Sequence, residues 1–359
     1  MSIPRAKLTA RQAFLMLALV LAVALIALLA YVLLLSGPNA LVRFGGQVRA
    51  GVEPVLTIDG PGTGEHPRFD RPMGAALGPD GTIYVADTGN DRICVFDRDG
   101  VFVREFGGHG IAKPLAGVKA TWKPGTFNYP VGLDVDPAGN LYVADFRNDQ
   151  IQVYDSQGVF LRRFPDPALV VGKGASGQEG TGIAVTDVAV RDGRVYATDT
   201  YQILVFSITG ELLEQFGRPG TRPGNLERPN GVDVGENGTV YVADSNNNRI
   251  QALSPTGEPL WATGARVSEL NKESKNPFAL PRGVTVLNDD SLVVVDAFAF
   301  ALIQVGPDGK IGSTWGERGV EPGQFNFPNS IDDLDDILLV SDKENDRVQV
   351  LRLTGRGSV

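Results

Sequence analysis

The 359-residue chain holds a single cysteine and two histidines, His66 and His109. One cysteine allows no intrachain disulfide and no cysteine-cluster metal site. Two histidines cannot supply a three-histidine zinc centre. Methionine is scarce, at 3 residues, and neither a Gly-x-Ser-x-Gly elbow nor a phosphate-binding glycine loop is present. Basic charge is also short. Residues 1–36 hold Arg5, Lys7 and Arg11 and no acid, leaving 30 basic and 42 acidic side chains beyond them, a formal net of −12. A surface of that sign repels a phosphate backbone, and no Lys/Arg run offsets it, so nucleic acid is not an expected partner.

What the chain does have is 43% hydrophobic residues, 44 glycines and 23 prolines. That mixture suits a folded core built from short strands and many turns. One long apolar run stands apart. Ala13 to Leu35 carries no charge and no polar stripe, and about 20 such residues span a hydrocarbon core. The preceding Arg5, Lys7 and Arg11 favour a cytoplasmic N-terminus, against Arg43 and Arg49 on the far side. The competing reading is a cleaved signal peptide, whose apolar region is usually shorter. The expected organisation is a cytoplasmic segment 1–12, a transmembrane signal anchor 13–35, a linker 36–52 and an extracytoplasmic domain 53–359.

The domain repeats itself. Ile83-Tyr84-Val85-Ala86-Asp87 recurs as Leu141–Asp145, Val195–Asp199, Val240–Asp244, Leu292–Asp296 and Leu338–Asp342. The closing aspartates stand 58, 54, 45, 52 and 46 positions apart. Pro72, Pro130, Pro229 and Pro281 each lie 15 residues before such an aspartate, and Pro328 lies 14 before; in the third copy Val185 takes this place. Each unit reads as four short strands separated by glycine or polar turns, the arithmetic of a propeller blade. The sixth unit stops after its third strand, while an orphan fourth strand, Glu53–Thr63, stands near the front. An N-terminal strand completing the last blade would close the ring and cover two sheet edges.

These residues resemble the NHL repeat. Pro322-Gly323-Gln324-Phe325-Asn326-Phe327-Pro328-Asn329 carries the likeness most clearly, continuing through Val340-Ser341-Asp342 and Asn345-Asp346-Arg347-Val348-Gln349-Val350. The resemblance covers about residues 53–355 and implies an all-β, six-bladed propeller of four-stranded antiparallel blades. It leaves function open, because such propellers include RNA-binding domains, peptide-processing lyases and sensor domains.

Three sets of candidate site residues emerge. Asp87, Asp145, Asp199, Asp244, Asp296 and Asp342 each close a strand at a turn, which suits Asx-type bonding to turn N–H groups, with Arg92, Arg249 and Arg347 placed to pair. Asp134, Asp233 and Asp332 occupy one position of the innermost strand in alternate units, so a near-threefold carboxylate set is expected around the channel. It would bind a divalent cation or ordered water. The third set marks departures from the repeat: Phe298 and Phe300 at a turn that is polar elsewhere, Tyr201 at a shortened turn, and Trp122, His109, Lys113 and Lys119 in the long loop after the first unit. The expectation is an aromatic floor with a basic rim, suited to a protein, peptide or glycan ligand. No catalytic residue and no obligatory cofactor is assigned. The alternative functions are a metal-dependent hydrolase or lyase and, less favoured by charge, an RNA-binding domain.

Overall fold

The computed structural model describes residues 51–64, 66–112, 119–165, 184–265 and 276–354. The 13–35 segment, most of the 36–52 linker, Lys113 and most of the loops expected over 165–181 and 264–279 lie outside the described residues. Among the described residues no helix is long and apolar enough to cross a membrane. Gly51–Arg356 forms one compact unit.

Strand β1 (Gly51–Ile58) comes first. The first blade follows with β2 (Gly74–Leu77), β3 (Ile83–Asp87), β4 (Arg92–Phe96) and β5 (Phe102–Gly107). The second holds β6 (Pro130–Val135), β7 (Leu141–Asp145), β8 (Gln150–Tyr154) and β9 (Phe160–Phe164). The third holds β10 (Val188–Arg191), β11 (Arg194–Asp199), β12 (Gln202–Ser207) and β13 (Leu212–Phe216). The fourth holds β14 (Gly231–Val234), β15 (Val240–Asp244), β16 (Arg249–Leu253) and β17 (Pro259–Gly264). The fifth holds β18 (Pro281–Val286), β19 (Leu292–Asp296), β20 (Ala301–Val305) and β21 (Ile311–Trp315). The sixth holds β22 (Pro328–Leu334), β23 (Ile337–Asp342) and β24 (Arg347–Thr354), and its fourth strand is β1. β1 runs antiparallel to β24, with Val52 opposite Leu353 and Ile58 opposite Val348.

All six sheets are four-stranded and antiparallel. The second and third strands are apolar on both faces because each blade is packed between two neighbours; β3, β4, β15 and β16 are buried at every residue. Outer strands such as β5 alternate half-buried with exposed. Six hydrophobic clusters fill the interfaces, one between each pair of successive blades. The cluster between the last and first joins Leu339, Val348 and Val350 to Ile83, Val85 and Cys94.

The innermost strands approach one another closely, and glycine permits it. A Cβ at Gly74 would lie 1.8 Å from the carbonyl oxygen of Val131, and one at Gly231 would lie 2.2 Å from that of Arg282. The Pro-x-Gly phrase therefore records backbone contact between blades.

Candidate functional site

Each strand-closing aspartate ties the turn after its strand to the segment that enters the same blade. Asp145 Oδ1 accepts the Asn128 N–H at 2.7 Å, while Oδ2 accepts from Asn148, Gln150 and Gln152 side chains at 2.7–2.8 Å. Asp87, Asp244 and Asp342 accept from Arg92, Arg249 and Arg347 at 2.7–2.8 Å, and these pairs are buried. Asp199 holds the Ala184 N–H and the Gln202 amide, and Asp296 holds the N–H groups of Ala279, Leu280, Phe298 and Ala299. Burial pushes the Asp145 carboxyl up to about 6, despite these bonds. The six are occupied as structural acceptors.

The channel carboxylates do come together. Asp134, Asp233 and Asp332 line one narrow cavity of about 30 Å³, roughly the room for a water molecule. Each binds two backbone N–H groups, one on its own strand and one on the next blade. Asp233 accepts from Val234 and Val286 at 2.7 Å each; Asp332 accepts from Asp333 at 2.8 Å and Leu77 at 2.6 Å; Asp134 accepts from Val135 at 2.7 Å and from Val190. Their first role in this fold is therefore to stitch the second blade to the third, the fourth to the fifth and the sixth to the first.

Sequence reading missed a fourth member, Asp187. It stands where four of the other units carry the glycine of Pro-x-Gly and the sixth carries Ser330, lines the same cavity, and accepts the Val232 N–H at 3.1 Å. The signal was available as the one unit in which both proline and glycine are replaced. Burial pushes all four carboxyls up, Asp134 to about 7, and repulsion from neighbouring carboxylates adds to it at Asp134, Asp187 and Asp332. Among the described residues no group of His, Cys, Asp or Glu is disposed to hold a metal ion.

The third set lies on one face, where innermost strands begin and second strands end, but the structure divides it. The Ala297–Phe300 turn is not extended; Phe300 has φ 55°. Phe298 and Phe300 nevertheless converge, because both pack edge-on against Phe327, with ring centroids 5.5 and 5.2 Å away. The Arg318 guanidinium lies 5.2 Å from the Phe300 ring centre. Phe298 is 55% exposed. Phe327 was not singled out in the sequence; it precedes Pro328 as Tyr129 precedes Pro130, and both have positive φ.

Trp122 does not join this cluster, contrary to the expected common floor. It stacks under Arg163, 3.8 Å from the ring centre, and against Phe160 of β9, so it covers the rim of the second blade. Apolar area on that outer strand is a nearer partner than the channel mouth. Tyr201 fills the two-residue turn between β11 and β12 and is half-buried. His109 is exposed, and its Nδ1 lies 2.7 Å from Asp91 Oδ2. Lys119 is exposed as well.

Comparison with known proteins agrees with this architecture. The NHL repeat pattern matches residues 69–96, 127–154 and 226–253, which are parts of the first, second and fourth blades. Peptidyl-glycine alpha-amidating monooxygenase B of Xenopus laevis is 28% identical over 198 residues, covering 52% of this chain and 21% of that protein. Protein brain tumor of Drosophila melanogaster is 28% identical over 154 residues, covering 42% and 13%. NHL repeat-containing protein 2 of Bos taurus is 34% identical over 106 residues, covering 29% and 14%. The chain thus spans no more than about a fifth of these relatives. Among solved structures, a protein of unknown function from Bacteroides thetaiotaomicron superposes with a TM-score of 0.61 at 19% identity, covering 85% of this chain and 76% of that one. Virginiamycin B lyase from Staphylococcus aureus does so at 0.53 and 14%, covering 85% and 100%. At these identities the likeness is one of fold.

Proposed function

From a chain that carries NHL repeats on a six-bladed propeller, we propose a binding module for a protein, peptide or glycan, anchored by the 13–35 helix and displayed outside the cytoplasm. The observation that carries this reading is the Phe298–Phe300–Phe327 cluster. Phe298 stands exposed at a turn, edge-on to Phe327, which also packs against Phe300 beneath the Arg318 guanidinium, on a face built from blade-connecting loops. Clustered exposed aromatics mark interfaces, and loops held by a rigid scaffold are where binding residues collect. The fifth blade, where the turn is aromatic, is not among the segments that match the repeat pattern.

The hydrolase or lyase alternative would draw on the channel carboxylates. Their cavity of about 30 Å³ is small, and each carboxylate is engaged by backbone donors, which makes this reading the less supported one. Anchoring rests on the uncharged 13–35 stretch and its basic N-terminal flank. Ring closure by the N-terminal strand belongs to the same reading and is supported by the β1–β24 pairing.

The test is Phe298→Ala, with melting and crosslinked partner capture measured on the same preparation. The expected outcome is a folded protein whose partner affinity drops by about 2 kcal/mol. A folded variant that captures its partners normally would remove this face from consideration.

A further inference from the structure

A second feature of the same face carries chemistry of its own. Arg282 occupies the middle position of Pro281-Arg282-Gly283, where other units place Met73, Val131, Asn230 and Asn329. Its side chain is turned into a cavity of about 210 Å³ shared by the second to fifth blades, walled by Phe146, Thr186, Pro229 and Asn230 and rimmed by Arg228. The guanidinium is largely enclosed. Nη1 donates to Asn230 Oδ1 at 2.6 Å, while Nε is buried with no acceptor among the described residues. Among the described residues no carboxylate is paired with it. Arginine stays charged in proteins, so burial without a counter-ion is costly, and here it pushes the Arg282 pKa down. The fully buried arginines of the described blades fare differently: Arg92, Arg249 and Arg347 each have an aspartate within 2.8 Å.

A cavity that keeps an uncompensated guanidinium calls for an anion. The planar fork of arginine matches a carboxylate in a two-point contact. The volume is below that of a drug-sized pocket, so it suits a carboxylate with one small or medium side chain rather than a large ligand. Phe146 and Pro229 provide the apolar wall, and the exposed Arg228 adds a second positive charge at the rim. We infer that this cavity binds a single carboxylate, carried by a peptide C-terminus or a small free acid, with Arg282 as buried anchor and Arg228 as rim partner. This deepens the binding-module reading and rests on it.

The full-length protein is titrated with an N-acetylated tetrapeptide ending in leucine, as the free acid and as the C-terminal amide, and separately with acetate. The free acid, or acetate itself, should bind, and the amide should bind at least tenfold more weakly than the acid. Acetate competing as well as the peptide would assign the site to free acids; acetate far weaker than the peptide would assign it to chain ends. Arg282→Gln should abolish the preference for acid over amide without lowering the melting temperature, because it removes an unpaired buried charge. Should that variant fail to fold, Arg228→Ala decides, with an expected loss of about threefold to tenfold in acid affinity. Equal affinity for acid and amide, binding of neither probe, or variants that bind the acid like the native protein would overturn the proposal. If it fails while Phe298→Ala still abolishes partner capture, the binding-module reading stands alone.

Discussion

At the scale of single residues, the decisive distinction is between carboxylates that are used up and side chains that are not. Asp145 receives four hydrogen bonds, three of them from buried amide side chains. Asp145→Ala would strand those donors, at about 1–3 kcal/mol each before relaxation, so a loss of at least 3 kcal/mol in denaturant unfolding is expected. The channel carboxylates make a different prediction, in pH. Their folded pKa values are raised, Asp134 to about 7, so the native state holds protons that the unfolded chain has released. Stability from this source is fully present below the ordinary aspartate range and is lost as pH rises toward 7 and beyond. Asp145, raised to about 6, acts in the same direction. The melting temperature should therefore be several degrees higher at pH 5 than at pH 8, and Asp134→Asn should flatten that difference. A melting temperature that climbs between pH 5 and pH 8 would contradict this account. Asp134, Asp233 and Asp332 were legible as a set, because alternation along a repeat places equivalent residues around one axis. Asp187 was hidden by its position in the glycine column, and Phe327 and Arg282 were hidden because what makes them unusual is their neighbours across blades.

At the scale of elements, β1 is the informative strand. Its Ile58 pairs with Val348 of β24, 290 positions further along the chain. Pro54 sits beside a register shift between Pro54 and Leu56, which is where an outer strand tolerates a residue without an N–H. The outer strands of the other blades show the same irregularity near their first residues, as between Phe102 and Arg104 of β5 or between Pro259 and Trp261 of β17. Such bulges bend the exposed edge away from flat pairing. Deleting residues 51–58 should uncover β24 and remove Ile58 from the core between the sixth and first blades. The expected result is aggregation on size-exclusion chromatography or a fall of 10 °C or more in melting temperature, on the order of several kcal/mol. A monodisperse truncation with native melting would show that the strand does not hold the ring shut. The repeated turns were readable from glycine and asparagine spacing. The Ala297–Phe300 turn was readable only as an anomaly, since the sequence does not reveal that Phe300 adopts φ 55° and that Phe327 lies beneath both rings.

At the scale of the whole molecule, the orientation of the chain is the open biological claim and has a direct measurement. A reporter active only outside the cytoplasm, fused after Val359, should be active, and a cytoplasm-dependent reporter at the same place should be silent; the reverse pattern would invert the proposed topology. The sequence by itself determined the repeat number, the four-strand unit, the acidic balance and the supply of a spare strand at the front. It could do so because each is a local, periodic property: apolar alternation, turn residues and charge are written residue by residue. Only the tertiary structure decided which departures from the repeat act together. Trp122 and Phe298 both sit in irregular loops, yet one packs on the rim of the second blade and the other on the loop that enters the sixth. Arg282 and Asp187 differ from their repeat-mates by single letters, and their meaning depends on neighbouring blades. Among the described residues no carboxylate pairs with Arg282, and Asp187 meets three other acids across the channel. Closing a ring brings residues a blade or more apart in sequence into contact, and no pattern read along one strand contains that distance.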